Sequence, residues 1–313
     1  MESGSTASIK LARGLLLGVL ALTAYRAATQ PITTEEAYAW DRFVRAPLVV
    51  TLAQYDPHHD LLYTLLARRT VRTFGTCEWA LRLPALMSLT LYLASVYRLA
   101  RRRLGTGLLF LAAVALLTAN PSVLELYSTA RGAGMALALY TCAAALLASP
   151  STPPNLAAAC LGLSVAADLS FVVPVMAFAL ALWLLARPPR FAERFLIPTV
   201  VVPFVLLVVP LSHFDGQWNR HHSPWPQEYR IRPLVETLRR DAGPRRVRIG
   251  ASPAAAPVLN FYRAHYKLRN WNDVASEPIE AADYYVLAPN DGVLISQRHM
   301  AVLFRGSWLT LAR

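Results

Sequence analysis

Between residues 11 and 211 the apolar side chains of this chain fall in long runs, with no polar face of the kind a water-exposed helix keeps. Such runs bury themselves in lipid or inside a bundle, and in lipid the backbone must satisfy its own hydrogen bonds, which points to helices. Seven runs read as membrane helices: 11–28, 81–97, 105–119, 132–147, 156–167, 171–186 and 195–211. Several are shorter than the ~20 residues of a perpendicular crossing, so short or re-entrant helices packed among others are expected there. With 55% hydrophobic residues, 16% charged and a mean hydropathy of +0.35, neither an ordinary water-soluble enzyme nor a disordered basic chain fits.

The formal charge of +12 raises the question of nucleic acid. A nucleic-acid footprint gathers its cations on a soluble module with a binding motif. Here Arg101, Arg102 and Arg103, and again Arg187, Arg190 and Arg194, flank apolar runs, as cytoplasmic loops of a multi-span protein do. No nucleic-acid partner is expected. With the N-terminus inside, segments 98–103 and 187–194 both fall on the cytoplasmic side of a plasma membrane. The loop 30–80 and everything after residue 212 then lie outside. The first run competes with a cleaved signal peptide; continued apolar runs downstream and Arg26 at the far interface favour an uncleaved span. Cys142 and Cys160 lie inside apolar runs, and no disulfide or metal spacing emerges.

After residue 213 the pattern changes. Residues 234–240 and 254–265 read as helices, and 246–250 and 283–287 as strands, an alternation that points to a small extracytoplasmic α/β domain. It carries no dinucleotide, phosphate-loop, nucleophile-elbow or zinc-protease motif, so packing or acceptor docking is its expected role. The expected organisation is a multi-span membrane domain over 1–212, with a long first outer loop at 30–80, followed by this domain over 213–313.

Residues able to do chemistry concentrate in the first loop and at span mouths. Glu35 and Glu36 follow Thr33 and Thr34 just outside the first span, where they read either as a helix start favoured by the dipole or as working carboxylates held at the bilayer surface. With Asp41 they could hold a divalent ion, though the spacing does not demand one. His58, His59 and Asp60 precede an amphipathic helix. Adjacent histidines rarely share one metal, and a capping segment built on Asp56 or Asp60 is the plain reading. Arg82 and Arg131 stand at outer mouths of spans, where they either snorkel to lipid phosphate or clasp a phosphate-bearing substrate with a planar fork. Asp168 interrupts an apolar stretch and is expected in a helix break or facing the bundle.

Taken in order, several pieces resemble the GT-C membrane glycosyltransferases. They are Glu35-Glu36-Ala37-Tyr38, His58-His59 before Leu62-Tyr63-Thr64-Leu65-Leu66, Phe74-Gly75 with Glu78-Trp79-Ala80-Leu81-Arg82-Leu83-Pro84, then Asn120-Pro121 and Ala130-Arg131-Gly132. The nearest group is the polyprenyl-phosphate-sugar-dependent, protein-mannosyltransferase-like (family 39-like) superfamily, and the likeness runs over about residues 11–147. The resemblance implies transfer of a sugar from a polyprenyl-phosphate donor to a lipid, glycan or protein acceptor at the outer face of the cell envelope, with inversion. It implies a base within the pair Glu35 and Glu36, and donor-phosphate contacts from His58, His59, Arg82 and Arg131. The family's usual first Asp is Glu35 here, its proline pair is Asp60 and Leu61, and its Tyr after Ala-Arg-Gly is Ala133. Family members usually continue through several further spans; here the polar C-terminal part begins soon after residue 211. A degenerate, non-catalytic scaffold with a binding module outside is the alternative, and a transporter the remote one, since no internal repeat is found.

Overall fold

The computed structural model describes residues 2–53, 60–149, 153–186, 199, 231–274, 282–288, 291–306 and 309–313. The chain opens with α1 (Glu2–Thr29). A capping box starts α2 (Thr34–Ala39): the Thr33 hydroxyl accepts from Glu36 N, and the Glu36 carboxylate accepts from Thr33 N. A π-helical turn, Trp40–Val44, and α3 (Leu48–Ala53) follow. The amphipathic α4 (Leu61–Phe74) buries Leu61, Tyr63, Thr64 and Ala67 and ends at Gly75, whose φ of 87° suits a residue without a Cβ. Next come α5 (Glu78–Leu104), α6 (Leu108–Thr118), α7 (Pro121–Ser128), α8 (Gly132–Leu147), α9 (Pro154–Ala167) and, after a short 3₁₀ turn at Leu169–Phe171, α10 (Val172–Ala186). Proline in the first turn of α7 and α9 places no N–H where the helix has no use for one.

Among the described residues, α1 and α5 are long and apolar enough to cross a membrane, and α6 with α7, bent by 49°, would make a third crossing. The expected seven spans are therefore not all of crossing length. At 1.5 Å per residue the 14-residue α9 reaches about 21 Å, short of a hydrocarbon core about 30 Å thick. The run at 195–211 and the basic segment 187–194 lie outside the described residues. Leu17 and Leu22 on α1, and Leu108 and Leu116 on α6, are exposed, as lipid-facing side chains are. The inner helices pack through small residues instead. Ala143 of α8 meets Ala157, Ala158 and Leu161 of α9, and Gly132 comes against Ala167 at the other end of the seam, where the backbones approach closely. Ser164 Oγ donates to Ala136 O at 2.8 Å across the same seam.

The C-terminal part is the expected mixture of helix and strand. It runs α11 (Ile231–Ala242), β1 (Ile249–Ala251), α12 (Ala256–His265), β2 (Tyr284–Leu287), α13 (Val293–Gln297), β3 (Val302–Arg305) and β4 (Thr310–Ala312). The sheet order is β1-β2-β4-β3, with β1 parallel to β2 and β4 antiparallel to both of its neighbours. The closing hairpin of β3 and β4 was not read from sequence. Buried Ile231, Leu234, Val235, Leu238 and Ala242 form one stripe of α11 at helical spacing.

This part is seated on the first loop. Trp40 packs edge-on against Phe261 at 5.3 Å, and one apolar core runs from Ile32, Ala37 and Trp40 through Phe261 and Val286. Arg232 donates to Glu78 Oε1 at 2.7 Å and to Thr29 O at 3.2 Å, and the Tyr262 hydroxyl reaches the same Glu78 oxygen. Arg45 grips both oxygens of Asp273, at 3.1 and 2.6 Å, which holds that carboxyl below its ordinary range. The boundary expected at 212 falls outside the described residues.

Candidate active site

α1 ends at Thr29, and the four residues to Thr33 turn the chain so that α2 starts beside the mouth of α5. That turn is fixed by Arg82, which is 1% exposed. Its Nε and Nη2 hold Glu36 at 2.7 and 2.6 Å, Nη1 donates to Ala27 O and Gln30 O, and Nη2 also donates to Pro31 O. These bonds engage all five N–H donors of the guanidinium. Arg82 is thus a clamp on the α1–α2 turn, and the expected contact with a donor phosphate has no N–H left to make it.

Glu36 is equally committed. Besides Arg82 it accepts from Thr33 N at 2.8 Å and from Ala130 N at 2.6 Å, tying α2 to the loop before α8. Burial by itself would raise its carboxyl. The Arg82 charge and hydrogen bonds, with the two backbone N–H groups, outweigh that and hold it below the usual value. A carboxylate with four donors on it and no exposure is a poor proton acceptor.

Glu35 differs although it is the next residue. One position along a helix turns the side chain by about 100°, and Glu35 leaves the buried face that Glu36 occupies. Its side chain is 40% exposed and is paired with Arg131 through Nη2. Arg131 keeps Nε buried without a hydrogen-bond partner, in contrast to the saturated Arg82. Glu35 and Arg131 line a cavity of about 190 Å³ together with Glu36, Asp60, Tyr63, Leu81, Ala130 and Asp168.

Asp60 stands at the N-terminus of α4 but does not cap it; its Oδ2 accepts from Gly132 N, the first residue of α8. Burial pushes its carboxyl up to about 7, the Gly132 N–H pulls the other way, and the Asp168 charge adds to the rise. Asp168 sits in the break after α9, as expected, where its Oδ1 accepts from Ser170 N at 2.8 Å. The approach of three elements here requires a glycine. A Cβ on Gly132 would lie 2.1 Å from Ala167 O and 2.6 Å from Asp60 Cβ and Cγ. Backbone cannot swing aside as a side chain can. Gly132→Ala should therefore destabilise the chain by about 1–3 kcal/mol, seen as a lower unfolding midpoint in detergent, although alanine is the better helix former.

Of the six expected site residues, Glu35, Glu36, Arg82 and Arg131 converge at one place, and His58 and His59 lie outside the described residues. The candidate ion site of Glu35, Glu36 and Asp41 does not assemble. Glu36 is on Arg82, Glu35 on Arg131, and Asp41 on Arg45 at 3.0 Å with Asn260 at 3.2 Å. Among the described residues no three His, Cys, Asp or Glu side chains are grouped to hold a metal. From sequence Asp60 reads as a cap standing, with Leu61, where the resembling family has its proline pair, and Asp168 as a helix break or a bundle-facing residue; neither is expected in the site. The signal that joins them is Gly132, a residue without a side chain between two helix ends. Comparison with protein-family models, curated proteins and solved structures finds no match to this chain.

Proposed function

We propose that this chain is a membrane glycosyltransferase of the GT-C kind, moving a sugar from a polyprenyl-phosphate donor to a hydroxyl or amine of a lipid, glycan or protein at the outer face. The observation that carries the reading is the pairing of Glu35 with Arg131 in an open cavity beside the α1 exit, backed by a saturated Glu36–Arg82 clamp. A carboxylate held by an arginine that retains free donors is an exchangeable pair. A donor phosphate takes the guanidinium fork and releases Glu35. Glu35 then accepts the acceptor's proton as its oxygen or nitrogen bonds to the anomeric carbon. The bond from that carbon to the phosphate oxygen breaks, and its electron pair leaves with polyprenyl phosphate. One displacement inverts the configuration. Arg131 stabilises the charge that gathers on the leaving phosphate. A multi-pass arrangement in the plasma membrane, with the N-terminus inside and the C-terminal part outside, follows from the basic flanks at 98–103 and 187–194.

A second reading has its own support. The firm seat of the C-terminal part on Glu78, Asp41 and Trp40 also suits a scaffold that presents a binding surface without transferring anything. Purified full chain in lipid nanodiscs separates the two. Supplied with sugar-bearing polyprenyl phosphate and mixed acceptors, a transferase releases polyprenyl phosphate and ignores nucleotide sugars. Absence of release across lipid, glycan and peptide acceptors supports the scaffold.

A further inference from the structure

Four carboxylates, Glu35, Glu36, Asp60 and Asp168, line the cavity with one guanidinium, that of Arg131. Glu36 is neutralised by Arg82 behind it, which leaves three carboxylates against one cation. With every group ionised the space carries an excess of negative charge, which opposes entry of a phosphate. The difficulty disappears if one carboxyl is neutral, and the surroundings single out which. Glu35 faces Arg131 directly. Asp168 is held by the Ser170 N–H at the start of a 3₁₀ turn. Among the described residues Asp60 has no cation paired with it. It is packed between α4, α8 and the end of α9, with Asp168 as its charged neighbour and Tyr63 of α4 one turn on, ahead of Arg68, Arg69 and Arg72 farther along that helix. From α2 it is faced by Glu35 and Glu36, from α5 by Arg82 behind Glu36, and from the α8 mouth by Arg131.

We propose that Asp60 works as a protonated carboxylic acid, donating its O–H to a phosphate oxygen of the polyprenyl-phosphate donor while its other oxygen keeps the Gly132 N–H. The inference rests on the polyprenyl-phosphate reading of the cavity. It assigns Asp60 a binding role that a proline at this position could not fill, and it separates the two tasks of the site. Glu35 stays ionised to take a proton, and Asp60 stays neutral to give a hydrogen bond, the division that unlike environments impose on neighbouring carboxyls. Its elevated titration point near 7 puts the neutral form within the working range.

Binding of farnesyl methyl phosphate, a diester that does not itself titrate near neutrality, should be measured on the full chain in nanodiscs from pH 6 to 9. In the parent, affinity should fall about tenfold per pH unit above the titration point of one required proton. Asp60→Asn keeps the acceptor for Gly132 and supplies a permanent N–H donor, so its affinity should match the parent's at pH 6 and stay level to pH 9. Asp168→Asn leaves the effect of burial in place but removes the charge that adds to it, so the fall should begin at somewhat lower pH. An alkaline fall that persists in Asp60→Asn belongs to another group, the neighbouring His58 and His59 first, and overturns the proposal. So does a folded Asp60→Asn chain that cannot bind at pH 6. Infrared difference spectra provide the check that needs no ligand: a protonated-carboxyl band at pH 6, absent in Asp60→Asn. If that band is present but the parent binds no probe, the polyprenyl-phosphate reading fails. If the probe binds and the band is missing, the role of Asp60 fails.

Discussion

Arg82→Met is expected to be the most damaging single substitution in this chain, at about 3–5 kcal/mol, because it leaves the Glu36 carboxylate buried with no counter-ion. Glu36→Gln should cost a similar amount for the converse reason, stranding a guanidinium that is 1% exposed. Removing both partners at once should cost less than the sum of the singles, since neither charge is then orphaned. It does not restore the parent, because Thr33 N and Ala130 N bond different Glu36 oxygens and the amide of Gln keeps only one acceptor. The pH dependence has a definite sign. Glu36 is held below its ordinary value in the folded chain, so its contribution is present above the unfolded carboxyl range and is lost as pH falls through the depressed value. Thermal unfolding in detergent at pH 7 and pH 4 checks both statements. Arg82→Met should lie well below the parent at pH 7, and the gap should narrow at pH 4.

Glu35→Gln is expected to act on turnover and leave the fold alone. The side chain is 40% exposed, its partner Arg131 is 41% exposed, and an ion pair so open to solvent contributes about 1 kcal/mol or less to stability. Glutamine keeps the size and the carbonyl acceptor but cannot take a proton at neutral pH. Sugar transfer should fall by roughly 10²–10⁴, the range of a positioned general base. Donor binding should persist in the variant, because the phosphate no longer has to displace a carboxylate from Arg131. Turnover measured beside donor affinity therefore separates loss of the base from loss of the binding site.

Much of this arrangement can be read from the chain before any coordinates. The apolar runs locate α1 and α5, the alternation after residue 213 gives α11, β1, α12 and β2, and Thr33 followed by Glu36 marks a helix start. What sequence cannot convey is how a buried face sorts two identical neighbours. Glu35 and Glu36 are equivalent as letters, and only the position of α2 against α5 gives one to the buried Arg82 and the other to the exposed Arg131. The two arginines divide in the same manner. Arg82 lies one turn into α5, where the α1–α2 turn wraps it in three carbonyls, whereas Arg131 precedes α8 and faces open space. Asp60 is hidden for a different reason. A residue ahead of a helix reads as that helix's cap, and its engagement of Gly132, 72 positions away, depends on the α8–α9 seam closing. Span count is the weakest sequence inference, since apolar helices of 14–16 residues serve equally in a bundle interior or at a membrane.

The division of roles between Glu35 and Glu36 can be measured directly. Sugar transfer from a polyprenyl-phosphate donor and the unfolding midpoint should be measured in the same nanodisc preparations of the parent, Glu35→Gln and Glu36→Gln. The predicted result is a double dissociation: Glu35→Gln melts with the parent and transfers at roughly 10⁻²–10⁻⁴ of its rate, while Glu36→Gln melts far lower. Full transfer by Glu35→Gln, or a Glu36→Gln chain that melts with the parent and has lost transfer, would contradict it.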